Sequence, residues 1–232
     1  MNKYEKAAAA AVALMLVAGA AIFFFAPTDY LQGPVQRIFY LHVSSAIAAY
    51  GCFAVVLVGG IIYLRTENPA ADRFARAGAL VGLVFTTVTL VMGMLWAKPI
   101  WGTFWTWDAR LTSTLVLWMI YAGYLLVRRL ADPGRQSARL AAVVGIFGFI
   151  DVPVVHFSVT WWRTQHPGPI IVNDALPPQM LMTFLLTLAC TLVLAAAMIA
   201  IRYRIETVLD ARLNVSEPAK VIAAKRDAEP AR

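Results

Sequence analysis

The chain has 232 residues, of which 60% are hydrophobic and only 14% are charged. This composition excludes a water-soluble domain, because the chain contains stretches that reach the roughly 20 apolar residues needed to cross a hydrocarbon core of about 30 Å. The net charge of +7 comes from basic residues in short loops, where it indicates membrane topology rather than nucleic-acid binding.

Six apolar runs are long enough to cross a membrane, and the polar breaks between them are short. The runs cover residues 7–26, 38–64, 74–97, 111–127, 140–160 and 180–201. Each run must be a helix, because hydrocarbon offers backbone polar groups no partner outside the segment itself. The sequence therefore predicts an all-α integral membrane protein with six transmembrane helices. The membrane domain covers 1–205, and the charged, Ala-rich segment 206–232 is predicted to be a disordered tail.

The distribution of lysine and arginine predicts the orientation of the chain. With six crossings, both termini and the loops at 65–76 and 128–139 share one side, which holds sixteen of the twenty basic residues. The opposite side holds Arg37, Lys98, Arg110 and Arg163. Because basic loops stay in the cytoplasm, both termini are predicted to be cytoplasmic.

The segment 98–112, between the third and fourth runs, is dense in aromatic residues. Its candidate site residues are Trp101, Trp105, Trp107, Asp108 and Arg110. Tryptophan rings either stack on planar ligands or anchor helices at the membrane interface. Because the basic residue Arg110 lies within the same stretch, the segment favours an aromatic platform for a large, flat, anionic molecule such as heme. An interfacial tryptophan belt is the alternative. On an extended loop, Asp108 and Arg110 would share one face.

The chain has only three histidines, and two of them lie near this segment in the predicted topology. His42 sits one turn inside the outer end of the second helix, and His166 follows Trp161 and Trp162 in the last outer loop. Because two imidazoles from separate segments can close both axial positions of heme iron, these histidines are the candidate ligands. Arg110 is the candidate partner for a heme propionate, and a snorkelling anchor is its alternative role.

The fifth run holds three residues that predict local features. Pro153 releases the carbonyl of Phe149, so the helix should kink there. An unpaired carboxylate is costly in hydrocarbon, so Asp151 should face the bundle interior. His156 is expected to be a polar residue in helix packing rather than an iron ligand.

Both cysteines lie inside apolar runs, and the sequence contains no CxxCH motif. Covalent attachment of the c type is therefore excluded, and bound heme would be non-covalent, of the b type. Nothing in the sequence resembles a phosphate-binding loop or a nucleophile with its base, so any energy source must come from partners.

Three motifs resemble the heme exporter protein C family, the C component of the cytochrome c maturation system (CcmC). They are the WWD-like stretch 101–112, the segment 37–43 and the segment 156–166. The resemblance covers nearly the whole chain. Two positions depart from the family pattern: Ser44 replaces a proline that commonly follows His-Val, and Pro167 follows the last histidine in place of glutamine.

The resemblance implies a multi-pass protein of the bacterial inner membrane without catalytic activity. Proteins of this family bind heme at the periplasmic face and load it onto a periplasmic heme chaperone, the E component. They associate with the A and B components of an ABC transporter and with the small D component. On matching positions, His42 and His166 would be the axial ligands. The platform would consist of Trp101, Trp105, Trp107, Asp108 and Arg110.

Two other functions remain open at this point. A heme lyase carries the same tryptophan-rich signature, but such enzymes are larger and have additional histidines inside the membrane. A permease that moves heme across the bilayer would require a polar pathway through the helices, where Asp151 is the only deep acidic residue. Heme delivery in cytochrome c biogenesis is the leading hypothesis.

Overall fold

The computed structural model of the protein describes residues 2–131, 134–168 and 176–228, with side chains described as far as 212. These residues form a helical bundle, and six helical segments are long and apolar enough to cross a membrane. The segments are Lys3–Phe25, Pro34–Thr66, Pro69–Trp101, Ala109–Leu130, Arg135–Trp161 and Pro178–Arg212. Each overlaps one of the six apolar runs, which confirms the predicted fold class.

Seven α-helices make up most of these segments within the described residues. They are α1 (Lys3–Ala20), α2 (Ile38–Thr66), α3 (Pro69–Trp101), α4 (Ala109–Leu130), α5 (Arg135–Phe149), α6 (Asp151–Trp161) and α7 (Pro178–Ala228). A π-helical turn, Ala21–Phe25, extends α1, and a 3-10 turn, Pro34–Arg37, precedes α2. Because α7 continues through Ala228, helix rather than irregular chain covers most of the predicted tail.

Side-chain caps set the starts of α3 and α4. Asn68 Oδ1 accepts a hydrogen bond from the backbone N–H of Ala70 at 2.9 Å, and Pro69 occupies the first helical position, where its missing N–H costs nothing. Asp108 Oδ1 accepts from the N–H of Leu111 at 3.0 Å. Each cap satisfies a backbone donor that the helix itself leaves free.

Two glycines allow α2 and α3 to approach closely. A Cβ atom at Gly78 would lie 2.9 Å from the carbonyl oxygen of Cys52, and a Cβ at Gly82 would lie 2.5 Å from Cε1 of Phe53. Any larger side chain would push the helices apart. This contact fixes the register between α3 and the helix that carries His42.

The fifth membrane segment is interrupted at Ile150, between α5 and α6. This agrees with the prediction from Pro153, because proline cannot donate to the carbonyl four residues earlier. Asp151 Oδ2 is buried, and the carboxylate lies within electrostatic range of Tyr50 on α2. The side chain therefore faces the bundle interior, as predicted from the cost of a carboxylate in hydrocarbon.

The bundle has two ends with different chemistry. The connections after α1, α3 and α6 lie at one end together with both candidate ligands, and we call it the histidine end. The start of α1 and the connections after α2 and α4 lie at the other. We call that end the ion-pair end, because charged side chains from α3, α4 and α7 meet there.

A network of ion pairs crosses the ion-pair end. Arg76 contacts Glu206 and Asp210, each at 2.7 Å, and Arg128 lies 2.9 Å from Asp72. Asp72 and Glu206 are only 8% and 4% exposed. These pairs tie α7 to α3 beyond residue 205, which explains why helix continues into the segment predicted to be disordered.

Candidate functional site

The structure brings His42 and His166 together at the histidine end. His42 lies near the start of α2 and His166 in the connection after α6, and their ring centroids are 6.3 Å apart with a tilt of 31° between the planes. Both side chains are partly buried. The two imidazoles therefore form a close pair at the histidine end of the bundle.

Hydrogen bonds define the protonation pattern of this pair. His42 Nδ1 lies 2.9 Å from the carbonyl oxygen of Thr89, and His166 Nδ1 lies 3.1 Å from the carbonyl oxygen of Pro167. Because a carbonyl oxygen only accepts, each Nδ1 carries the hydrogen and donates it. The Nε2 lone pair of each neutral ring is then available to a ligand.

The environment of His166 keeps its imidazole neutral. Burial and, to a smaller extent, the positive charge of Arg110 together lower the pKa of His166 to about 4, against weaker opposing effects of the Pro167 carbonyl and Asp108. At neutral pH the ring is therefore unprotonated at Nε2. A neutral imidazole is the form that binds metal ions.

Arg110 lies beside the histidine pair, and its side chain donates hydrogen bonds to backbone carbonyls of α6. Its Nη2 donates to the carbonyl oxygen of His156 at 2.8 Å, and its Nε donates to the carbonyl oxygen of Val155 at 3.3 Å. Arg110 thus joins α4 to α6 across the site. A guanidinium has five N–H donors, so hydrogens on Nη1 remain for another acceptor.

The tryptophan-rich segment is shorter than predicted, since 98–101 belongs to α3 and 109–112 belongs to α4. Trp101 is the last residue of α3, which ends at Gly102 in a left-handed conformation with φ of 76°. Trp105 and Trp107 meet edge to face, with ring centroids 5.6 Å apart. Trp107 is 78% exposed, whereas Trp105 Nε1 is buried and has no hydrogen-bond partner among the residues that the structure describes.

Asp108 and Arg110 do not lie on an extended loop, because the helix begins between them. Asp108 is the N-cap of α4, and its Oδ2 also accepts from Thr106 Oγ1 at 3.3 Å. Arg110 lies in the first turn of the helix. The cap requires the chain to turn into the helix directly after Asp108, which separates the two side chains.

His156 lies outside the histidine pair. Its ring is exposed rather than packed between helices as expected, and it contacts Phe157 edge to face with centroids 4.9 Å apart. Only the His156 carbonyl reaches the site, through Arg110. Ser44, one of the departures from the family pattern, is buried within the continuous α2 helix.

One face of α3 contributes residues that the sequence analysis did not single out. Trp96 lies edge to face with His42 at a centroid distance of 5.9 Å, and its Nε1 donates to Gln32 Oε1 at 2.8 Å. Gly93 and Thr89 lie one and two turns before it and also contact the His42 ring. Thr89 and Gly93 are four residues apart, and Gly93 and Trp96 are three apart. This spacing places all three on one face of a helix and is visible in the sequence.

Comparison with known proteins gives one family for nearly the whole chain. The family model for heme exporter protein C, CcmC, matches residues 2–217. Heme exporter protein C of Escherichia coli K12 is 39% identical over 182 residues, covering 78% of this chain and 74% of that protein. Heme exporter protein C of Bradyrhizobium diazoefficiens is 39% identical over 158 residues, covering 68% and 60%.

A plant relative is also similar, over a shorter stretch. The putative cytochrome c biosynthesis ccmC-like mitochondrial protein of Arabidopsis thaliana is 41% identical over 146 residues, covering 62% of this chain and 55% of that protein. The family match spans all six membrane segments. The chain therefore belongs to the heme exporter protein C family.

Proposed function

We propose that this protein holds heme at the periplasmic face of a bacterial inner membrane and delivers it to a periplasmic heme chaperone, the E component, for cytochrome c biogenesis. Membership of the heme exporter protein C family supports heme handling in cytochrome c maturation and a delivery role rather than catalysis. The observation that carries the site is the close pair of imidazoles at the histidine end.

His42 and His166 are the proposed axial ligands of the heme iron. Imidazole nitrogens bind transition metals at about 2 Å, so one metal ion between two imidazoles separates their ring centroids by about 6 Å. The observed separation of 6.3 Å fits this requirement. The Nδ1 hydrogen bonds to backbone carbonyls are of the kind that orient metal-binding histidines and leave Nε2 for the metal.

The remaining predicted residues form the proposed platform beside the iron ligands. These residues are Trp101, Trp105, Trp107, Asp108 and Arg110. The buried, unpartnered Nε1 of Trp105 is a donor that a heme propionate would satisfy. The Nη1 hydrogens of Arg110 supply a second, charged donor. The heme would be non-covalent, because Cys52 and Cys190 are both buried inside the bundle.

The orientation of the site follows from the charge asymmetry of the bundle. Sixteen of the twenty basic residues lie on the side of the ion-pair end or in the C-terminal segment. The positive-inside rule places this end in the cytoplasm, so the histidine end faces the periplasm. The A, B and D components of the maturation system are the proposed membrane partners.

A test of delivery compares the protein purified from cells with and without the periplasmic heme chaperone. A delivery protein releases its cargo, so heme should accumulate on it severalfold when the acceptor is missing. The readout is heme absorbance per mole of protein. Equal heme content in both preparations, with the chaperone confirmed to lack heme when this protein is deleted, would contradict delivery.

A further inference from the structure

The imidazole of His42 packs against one face of α3 and contacts three residues of that face. Thr89, Gly93 and Trp96 lie four and three residues apart, so successive turns of α3 present them to the same neighbour. The Thr89 carbonyl oxygen bonds to the imidazole, Gly93 leaves room for it because it has no side chain, and the Trp96 indole packs against it. None of these residues belongs to the proposed heme platform.

The Thr89 carbonyl orients the ring through its contact with Nδ1 at 2.9 Å. In a helix, this oxygen is also the acceptor for the backbone N–H of residue 93. The Thr89 hydroxyl is not involved, because it donates to the carbonyl oxygen of Phe85 at 2.9 Å. The imidazole therefore shares a backbone acceptor of α3, and it must lie close to the helix surface at Gly93 to reach it.

Gly93 is the position where this approach requires the absence of a side chain. A Cβ atom there would lie 3.0 Å from Cε1 of His42 and 3.4 Å from Nδ1. Both atoms belong to a ring whose position is fixed by the hydrogen bond to Thr89. A methyl group would displace the ring by a few tenths of an ångström, which would lengthen that bond and turn Nε2.

Trp96 also packs against the ring. Its indole meets the imidazole edge to face at 5.9 Å, and Gln32 holds the indole through the 2.8 Å bond from Nε1. The ring therefore has little freedom to move away from an atom added at position 93. A displaced imidazole would lose its alignment with His166 rather than find an equivalent site.

We infer that Gly93 is a positioning residue, whose missing side chain allows the His42 ring to bond to the Thr89 carbonyl and so sets its position beside His166. Gly93 acts through His42 and does not contact heme. The inference rests on the proposed function, in which His42 is an axial ligand. Orienting hydrogen bonds of metal-binding histidines typically change metal affinity by about tenfold or more when they are disturbed.

The test is Gly93→Ala in the full-length protein, purified in detergent with its heme. We expect about tenfold weaker heme retention and an altered low-spin signal in the electron paramagnetic resonance spectrum, both restored by exogenous imidazole. The matched control is Gly123→Ala on α4, where an added Cβ meets nothing within 4 Å. Because alanine favours a helix over glycine, neither change should weaken its helix.

Comparison with His42→Ala separates the inference from the proposed function. If His42→Ala changes the heme spectrum and Gly93→Ala does not, the role of Gly93 is overturned and the function stands. If His42→Ala leaves the spectrum unchanged, the proposed ligand itself is wrong.

The double variant His42→Ala/Gly93→Ala distinguishes positioning from a general packing defect. If Gly93 acts through the His42 ring, the second substitution should add no loss in a protein that lacks this ring. Should Gly93→Ala alone fail to accumulate in the membrane, recovery in the His42→Ala background supports the inference. Continued loss in the double variant overturns it.

Discussion

The two ends of the bundle use polar side chains in opposite ways. At the ion-pair end, buried carboxylates and guanidinium groups bind one another, as Asp72 does with Arg128 and Glu206 with Arg76. At the histidine end, His42 and His166 each bind a backbone carbonyl through one nitrogen and keep the other available. The first arrangement stabilises helix packing, and the second leaves bonding capacity for a ligand.

The largest expected effect comes from breaking the ion-pair end. Arg76→Leu would leave Asp72, Glu206 and Asp210 without their shared cation. Removing one partner from a buried pair costs about 3–5 kcal/mol, and the loss here should lie below that limit because Asp72, Glu206 and Asp210 keep Arg128, Arg202 and Arg73 as partners. Thermal unfolding in detergent should therefore show a clear drop in Tm.

The control for this prediction is Arg139→Leu. Arg139 pairs with Glu67 in an exposed position, where an ion pair contributes little to stability. The heme spectrum of folded protein should not change in either variant. Equal melting temperatures for the two variants would show that the buried network is not a major source of stability.

Removal of the aromatic platform should have the next largest effect, and it acts on the histidine end. Each aromatic contact contributes on the order of 1 kcal/mol, so replacing Trp101, Trp105 and Trp107 together by alanine should abolish heme loading. Single tryptophan-to-phenylalanine changes should be mild. The measurement is heme content with membrane insertion checked in parallel. Unchanged heme content in the triple variant would leave only the interfacial-belt role.

Arg110→Ala should lower heme occupancy by a smaller amount. The substitution removes a charged donor for a propionate, and it also frees the carbonyls of Val155 and His156. A hydrogen bond to a charged group contributes about 1.5–3 kcal/mol. Arg110→Lys should recover part of the loss, since lysine keeps the charge but lacks the planar fork. Full occupancy in the alanine variant would assign Arg110 to helix packing alone.

The smallest effect is expected at Asp108, which combines two proposed roles. Asp108→Ala removes the N-cap of α4 and should cost about 1 kcal/mol of stability. Asp108→Asn keeps a capping oxygen and removes the charge, so it isolates any role in transfer. We expect the Asp108→Asn variant to keep its heme but to pass it more slowly to the chaperone.

The measurement is the heme content of the protein and of the co-purified chaperone, side by side for both Asp108 variants. Parallel loss from both proteins would show that Asp108 serves binding alone. Unchanged transfer in Asp108→Asn, with a lower melting temperature in Asp108→Ala, would reduce Asp108 to a capping residue.

The sequence predicts the membrane segments well because hydrocarbon imposes a simple rule on length and composition. The same topology brings His42 and His166 to one end, and Pro153 predicts the interruption near Ile150 because its chemistry is local. The helix at residues 206–228 was not predicted, because the ion pairs that Glu206 and Asp210 form with Arg76 join residues that lie far apart in the sequence.

The surroundings of the site could not be predicted in the same way. The contacts of Gly93 with His42, and of Arg110 with the α6 carbonyls, depend on how the helices pack against one another. Apolar runs carry little information on helix rotation, because nearly every position is hydrophobic. The N-cap at Asp108 had a local signal, since aspartate before a helix is a common cap, but the sequence left open whether Asp108 and Arg110 lie on an extended loop or on a helix.

The central claim is that two imidazoles at the histidine end hold the heme iron. It is tested most directly by absorption and electron paramagnetic resonance spectra of heme bound to purified His42→Ala, His166→Ala and His156→Ala, each with and without imidazole. The first two variants should lose the bis-histidine signature and regain it with imidazole, and His156→Ala should match the unmodified protein. Equal loss in all three variants, or no change in the first two, would contradict the claim.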